Sequence, residues 1–449
     1  MPCFSSLLLP LLLTLFCSTP SPAASLKAGI AKTDITPPPG IPLWGFAARK
    51  TPSVGTLDPL FARVLVLEVD EKRIALVTLD LGRTFGPASL QHLREEAKKR
   101  SGISYLLLAA THTHSGPVIL DEYPSGKTPD WESAAMERIV GSIGEARSKA
   151  VDARLGTGYG AVVVAHNRRR VKPDGTVVME ARNHERIPTS PLDATVGILR
   201  VDTLEGKPLA VLVNYACHPV VLGPDNLQYS ADFPAALSRT VEGSISGRPL
   251  CFFLQAAPGD INPIYADTPL DKGGIMMRDW TGEWLGREAV RVATSVQAET
   301  ATEPSLEFAE DVLTLSLRWG PEKWKHQLVA SYGQQFVDSF APPIQQEWHL
   351  PVATVLINKR IALMTMPGEP FVEFQIRWRE RCPVSESFFL GYANGYYGYF
   401  PTIKAASEGG YGASGPTTWI EPGAGERMVD QALVRVYQML GRLSDVPHD

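Results

Sequence analysis

Three histidines, one glutamate and a run of tyrosines are the residues here whose types and spacing could do chemistry. His112 and His114 stand in Thr111-His112-Thr113-His114-Ser115-Gly116-Pro117, directly after the apolar run 104–110. In an extended chain residues i and i+2 point the same way, so both imidazoles can face one metal ion or one substrate from a strand end. Zinc takes neutral imidazole nitrogen, and a catalytic zinc keeps a position open for water or substrate. A hydrogen-bonded surface pair is the plainer alternative, but the buried strand before it and the Gly-Pro after it favour a functional pair. His218 closes a second apolar run in Asn214-Tyr215-Ala216-Cys217-His218-Pro219, and Pro219 helps to fix the backbone beyond it. Alone it reads as a satisfied core histidine. Its strand-terminal position matches that of His112, and ligands of α/β sheets collect at such ends. Cys217 is an alternative soft ligand, pointing to the opposite side if the strand continues.

Two further segments carry acids. Gly259-Asp260-Ile261-Asn262-Pro263 follows the apolar run 250–255 and is turn chemistry by itself. Glu369, in Met366-Pro367-Gly368-Glu369-Pro370-Phe371, lies between a strand and the helical stretch 371–381. An acid there either caps a helix or binds a metal. Residues 394–411 place tyrosines at 396, 397, 399 and 411 among glycines, a composition that packs aromatic rings or lines a pocket with hydroxyls.

The elements that must position these residues alternate. β-rich runs are predicted at 61–69, 73–79, 104–110, 209–216 and 250–255, with helices at 87–100, 131–150, 233–244 and 284–296. Segments 306–317 and 351–364 add further β-rich sequence, and a helix over 425–443 closes the chain. The pattern predicts an α/β fold, mixed β-sheets covered by helices, in a single large domain spanning 25–449.

Composition narrows the classes. With 449 residues, 44% hydrophobic and 20% charged, the chain can bury a large core. A net charge of −5 gives no electrostatic reason to expect nucleic acid as a partner. No obligate protein partner is evident either. The apolar run 7–16 and Ser21-Pro22-Ala23-Ala24 read as a signal peptide over 1–24, cleaved near Ala23/Ala24, although no charge precedes Lys27. That predicts a secreted or periplasmic protein. Cys217, Cys251 and Cys382 remain after cleavage, an odd count at wide spacing that is no disulfide framework.

The order and spacing of these segments resemble the neutral (non-lysosomal) ceramidase family. The likeness starts at Ala28-Gly29-Ile30-Ala31-Lys32-Thr33-Asp34-Ile35-Thr36-Pro37 and runs to Tyr411, with the Thr-His-Thr-His-Ser-Gly-Pro run as its most specific match. The resemblance implies a Zn2+ ion held by His112, His218, Glu369 and Tyr399, with His114 facing the substrate. It also implies that Arg168, in Asn167-Arg168, reaches into the site and that Tyr411 is a second active-site tyrosine. Asp232 in Ser230-Ala231-Asp232 falls in a stretch that the family also has. With Asn167 and Asn262 it makes a candidate substrate-binding set, and Asp260 is a candidate catalytic residue orienting the turn or a histidine ring. Two departures stand out: Asn262 occupies the position of the family's catalytic serine, and the chain is too short for the family's extra C-terminal β-sandwich.

The implied activity is hydrolysis of an amide of the N-acylsphingosine type by metal-activated water. His114 is then the general base or acid, and Tyr411 and Arg168 stabilise the oxyanion. The substrate is a small molecule or lipid, the latter allowing peripheral membrane contact. The alternatives are a metal-dependent esterase or amidase on a non-lipid substrate, which Asn262 favours, and a non-catalytic binding protein of the same fold. A dinuclear site of another lineage would need His166 or His184, neither convincingly placed.

Overall fold

The computed structural model of the chain describes residues 24–121, 128–334, 337–338 and 344–443. The leader expected over 1–24 lies outside these apart from Ala24. Eight strands form the larger sheet: β1 (Leu26–Asp34), β2 (Phe61–Val69), β3 (Lys72–Leu79), β4 (Tyr105–Ala110), β5 (Val151–Ala161), β6 (Thr195–Thr203), β7 (Pro208–Tyr215) and β8 (Leu250–Gln255). Their order is β8-β7-β6-β5-β1-β2-β3-β4. The pairs β3/β4 and β7/β8 are parallel and the others antiparallel. A smaller sheet has the order β9 (Leu306–Ser316), β10 (Glu347–Ile357), β11 (Ile361–Thr365), β12 (Glu386–Leu390), with β11/β12 parallel. Both sheets are mixed, as the alternation predicts.

The two sheets share a core, and helices cover their other faces. Side chains alternate along a strand, so a strand covered on both sides must be apolar throughout. In β4, Leu106 and Leu108 pack with helices α1 (Pro87–Ser101) and α2 (Asp130–Ser148). Leu107 and Ala109 pack inward with Val355, Leu363 and Leu390 of the smaller sheet. Each such leucine or valine contributes about 1.5–3 kcal/mol on burial, which is why 104–110 reads as an apolar run. Helices α3 (Phe233–Ser244) and α4 (Gly274–Ser295) cover the β6–β8 half of the large sheet. The smaller sheet is backed by α5 (Pro321–Tyr332), α6 (Val372–Arg381) and, near the end of the chain, α7 (Ala424–Met439).

Several boundaries differ from expectation. Helix α4 begins at Gly274 rather than 284, and the 351–364 segment is the hairpin β10/β11, turned at Asn358 and Lys359, both with positive φ. Among the described residues no helix is long and apolar enough to cross a membrane. Cys217, Cys251 and Cys382 are free thiols.

The strand ends that carry the chemistry are tied together. The Gln255 side chain, at the end of β8, donates to the carbonyls of Thr111 (3.1 Å) and Cys217 (2.8 Å), joining the His112 and His218 segments. Gly391, just after β12, donates its N–H to Gln255 O at 3.0 Å. The ends of β4, β7, β8 and β12 thereby meet in one place.

Candidate metal centre

His112 leaves β4 through a turn, not along an extended strand. Its φ is +69°, its N–H bonds to Leu81 O, and its Nδ1 lies 2.6 Å from Gly82 O. The two imidazoles still converge, with His114 Nε2 3.2 Å from His112 Nε2. Thr113 between them points away and donates to Ser230 O at 2.6 Å. His218 is pinned to the turn after β8: its backbone N–H and its Nδ1 both reach Ile261 O, at 3.0 and 3.1 Å. The three imidazoles offer nitrogens within 4.8 Å of one another. Cys217 is no part of the cluster. Its buried thiol, pushed well above its ordinary pKa by burial, points at His218 O.

Glu369 completes the cluster. It is no helix cap, since α6 is preceded by Phe371 without a side-chain cap. Glu369–Pro370 instead forms a two-residue parallel ladder with Tyr399–Phe400, so Glu369 and Tyr399 are register partners. Glu369 Oε2 lies 3.0 Å from His218 Nε2 and 3.5 Å from His112 Nε2.

These contacts allow a test of whether a metal fits. Carbonyl oxygens only accept, so His112 and His218 must donate Nδ1–H to Gly82 and Ile261 and turn bare Nε2 lone pairs inward. Both lone pairs then face a carboxylate oxygen, an arrangement that is repulsive unless a proton or a cation lies between. Burial, then the Arg168 charge, bring the His218 pKa down to about 4, which leaves the imidazole neutral. A cation is the group these residues fit. Ligands at about 2.0–2.1 Å around a tetrahedral zinc stand about 3.3–3.4 Å apart, close to the separations found here.

The remaining candidates gather around this centre or support it. Arg168 is buried. It donates to Tyr399 Oη (3.0 Å) and Gly259 O (2.6 Å), approaches Asn262 Oδ1 (3.4 Å), and lies 5.2 Å from the Tyr411 ring. Tyr399 is 4% exposed, whereas Tyr411, its edge-on neighbour at 5.5 Å, is 47% exposed as a residue, with its hydroxyl beside those of Tyr399 and Tyr332. Burial, then the Glu369 charge, raise the Tyr399 hydroxyl well above its ordinary pKa. Asp260 holds the turn: its carboxylate accepts from Val372 N and Asn167 Nδ2, and the His218 ring is oriented by Ile261 instead. Asn167 is engaged with Asp260 and with Pro191 O. Asn262 donates to Ala181 O. Asp232 caps α3, accepting from Phe233, Leu222 and Val221 N–H groups, so its oxygens serve the backbone. His166 faces Glu180 O.

Three contributors, Gly82, Ile261 and Tyr392, escaped the sequence reading, and the partner of a fourth, Tyr396, did too. Gly82 and Ile261 act through carbonyls, which leave no side-chain signal. Tyr392 and Tyr396 donate to Glu369, at 3.2 and 2.5 Å; the tyrosine-rich stretch pointed to the second but not to its partner.

The family described as neutral/alkaline non-lysosomal ceramidase, N-terminal, matches residues 26–274. That span holds His112, His114, Arg168, His218, Asp260 and Asn262, and stops short of Glu369, Tyr399 and Tyr411. Neutral ceramidase of Pseudomonas aeruginosa is 25% identical over 276 residues, covering 54% of this chain and 40% of that protein. The crystal structure of neutral ceramidase from Pseudomonas aeruginosa superposes with a TM-score of 0.74 at 20% identity, covering 95% of this chain and 77% of that chain. A ceramidase complexed with C2 superposes with the same TM-score and coverage.

Proposed function

The chain belongs to the neutral/alkaline non-lysosomal ceramidase family, and from that premise we propose that it is an exported zinc-dependent hydrolase cleaving an amide of the N-acylsphingosine type. In this reading residues 25–449 form one catalytic domain, released by cleavage near Ala23/Ala24, whose substrate is a lipid reached by peripheral membrane contact. The observation that carries the proposal is the pair of bare imidazole nitrogens, His112 Nε2 and His218 Nε2, both turned on one oxygen of Glu369.

The residues that would hold the ion are His112, His218, Glu369 and Tyr399. Zinc there supplies a Lewis acid for the scissile carbonyl and brings the pKa of water toward neutrality. His114 has a different task. A metal-binding histidine donates its other N–H to a fixed partner. His112 and His218 have such partners, while His114 Nδ1 is buried with none. Burial, then the neighbouring imidazoles, hold the His114 pKa well below the ordinary range, so the ring is neutral; its place beside the ligand imidazoles, 3.2 Å from His112 Nε2, is what makes it the proton acceptor for the attacking water in this reading. Arg168 and Tyr411 donate to the oxygen on which charge develops.

Asn262 favours a second reading, a non-lipid amide or ester as substrate. It cannot act as a serine does, and both ends of its amide are engaged, with Arg168 and Ala181. Hydrolysis of a short-chain fluorogenic ceramide separates the two. The first reading predicts turnover that a zinc chelator abolishes. Zinc-loaded protein that leaves ceramide intact but cleaves other amides or esters would establish the second.

A further inference from the structure

The loop after β12 does more than supply Tyr399. Its backbone is held in left-handed conformations at Tyr392 (φ 49°) and Asn394 (φ 57°), which non-glycine residues adopt at a cost. Hydrogen bonds on two sides hold it there. Toward the His112 segment, Ala110 N–H donates to Tyr392 O, and Leu108 N–H donates to the Asn394 side chain. Toward the Glu369 segment, Tyr392 N–H donates to Gly368 O. The loop therefore bridges the larger sheet, which delivers His112, and the smaller sheet, which delivers Glu369.

Two hydroxyls use that bridge. Tyr392 is fully buried, its ring stacked on His112 at 3.9 Å and 22°, and its hydroxyl donates to Glu369 Oε2 at 3.2 Å. Tyr396 donates to the other oxygen, Oε1, at 2.5 Å. With Oε1 taken by a phenol, one carboxylate oxygen remains turned toward the imidazoles. Building on the metal reading above, we infer that Tyr392 and Tyr396 are positioning residues that fix Glu369 for single-oxygen binding of the ion and so set metal affinity. Tyr392 in addition locks the His112 ring against Glu369, coupling ligands from the two sheets. Neither tyrosine touches the reacting atoms.

The test is zinc affinity by chelator competition for the full mature chain, its Tyr392→Phe and Tyr396→Phe variants, and Tyr229→Phe as a control. Tyr229 is also fully buried and its hydroxyl also serves the protein, donating to Pro38 O, but it touches no candidate ligand. Both loop variants are expected to bind zinc about 10–100-fold more weakly, the usual effect of losing a partner of a ligand, with Tyr229→Phe unchanged. The cobalt(II) form should show an altered visible absorption band in Tyr396→Phe, because the freed oxygen can join the ion. Wild-type affinity in both loop variants, or an equal loss in Tyr229→Phe, overturns the inference while the metal reading stands. A wild-type chain that takes up no zinc overturns both.

Discussion

At the residue scale the account divides the histidines by what holds their second nitrogen. His112 and His218 are each tied to a carbonyl, whereas His114 Nδ1 has no partner. His112→Ala should therefore remove both zinc and turnover. His114→Ala should keep zinc, measured by metal analysis, and lose about 10²–10⁴-fold in turnover, the usual contribution of a general acid or base. Loss of zinc in His114→Ala would make it a ligand instead. Asn262→Ser should raise activity on ceramide if the family's serine is what ceramide turnover lacks, a gain readable in the same fluorogenic assay. The residue types were legible in the sequence, since His-x-His, His218 and Glu369 all meet in one cluster. Their orienting partners were not, because a backbone carbonyl such as that of Gly82 or Ile261 has no signature. Positive φ at His112, not the strand alternation expected for the pair, brings the rings of His112 and His114 together.

At the element scale, strands buried on both faces were the readable ones: 104–110 and 250–255 are largely apolar, 61–69 is β-rich with only Arg63 and Glu68 charged, and all three lie where expected. β5 was missed for a physical reason. Its Gly156, Gly158 and Gly160 give it little strand propensity, yet α4 needs them, since a Cβ at each would fall 2.5, 2.7 and 2.0 Å from Val296, Val296 and Glu288. Tertiary packing, invisible in a local window, decides that strand. The same closeness governs the site. Gly259 lies against the Glu369 strand, where an added Cβ would sit 2.5 Å from Glu369 O and 2.7 Å from Pro370 O. Gly259→Ala should therefore part the His218 turn from Glu369 and weaken zinc binding. Its thermal midpoint should also fall in the metal-free state. Unchanged zinc affinity would show that the two segments are not rigidly coupled.

At the scale of the whole molecule, pH acts on stability through carboxyls far from the centre. Glu132 in α2 is fully buried and accepts N–H groups of Leu120 and Asp121. Burial raises its pKa to about 7. The folded chain thus binds this proton more tightly than the unfolded one, so its stabilising share is complete below pH ~4.5 and lost as pH rises through about 7. Glu132→Gln should flatten the fall in thermal midpoint between pH ~4.5 and 7; an unaltered slope would assign that fall to other groups. The architecture was legible as mixed sheets covered by helices, while the meeting of strand ends from two sheets was not, because it depends on contacts such as Gln255 to Thr111 across the fold. That meeting is what makes a site of residues spread from 112 to 411. The measurement that tests it most directly is the zinc content of the purified mature chain, compared with that of His218→Ala and Glu369→Gln. About one zinc per chain, lost or sharply reduced in both variants, is the predicted result; a wild-type chain free of zinc, or variants that keep it fully, would contradict the account.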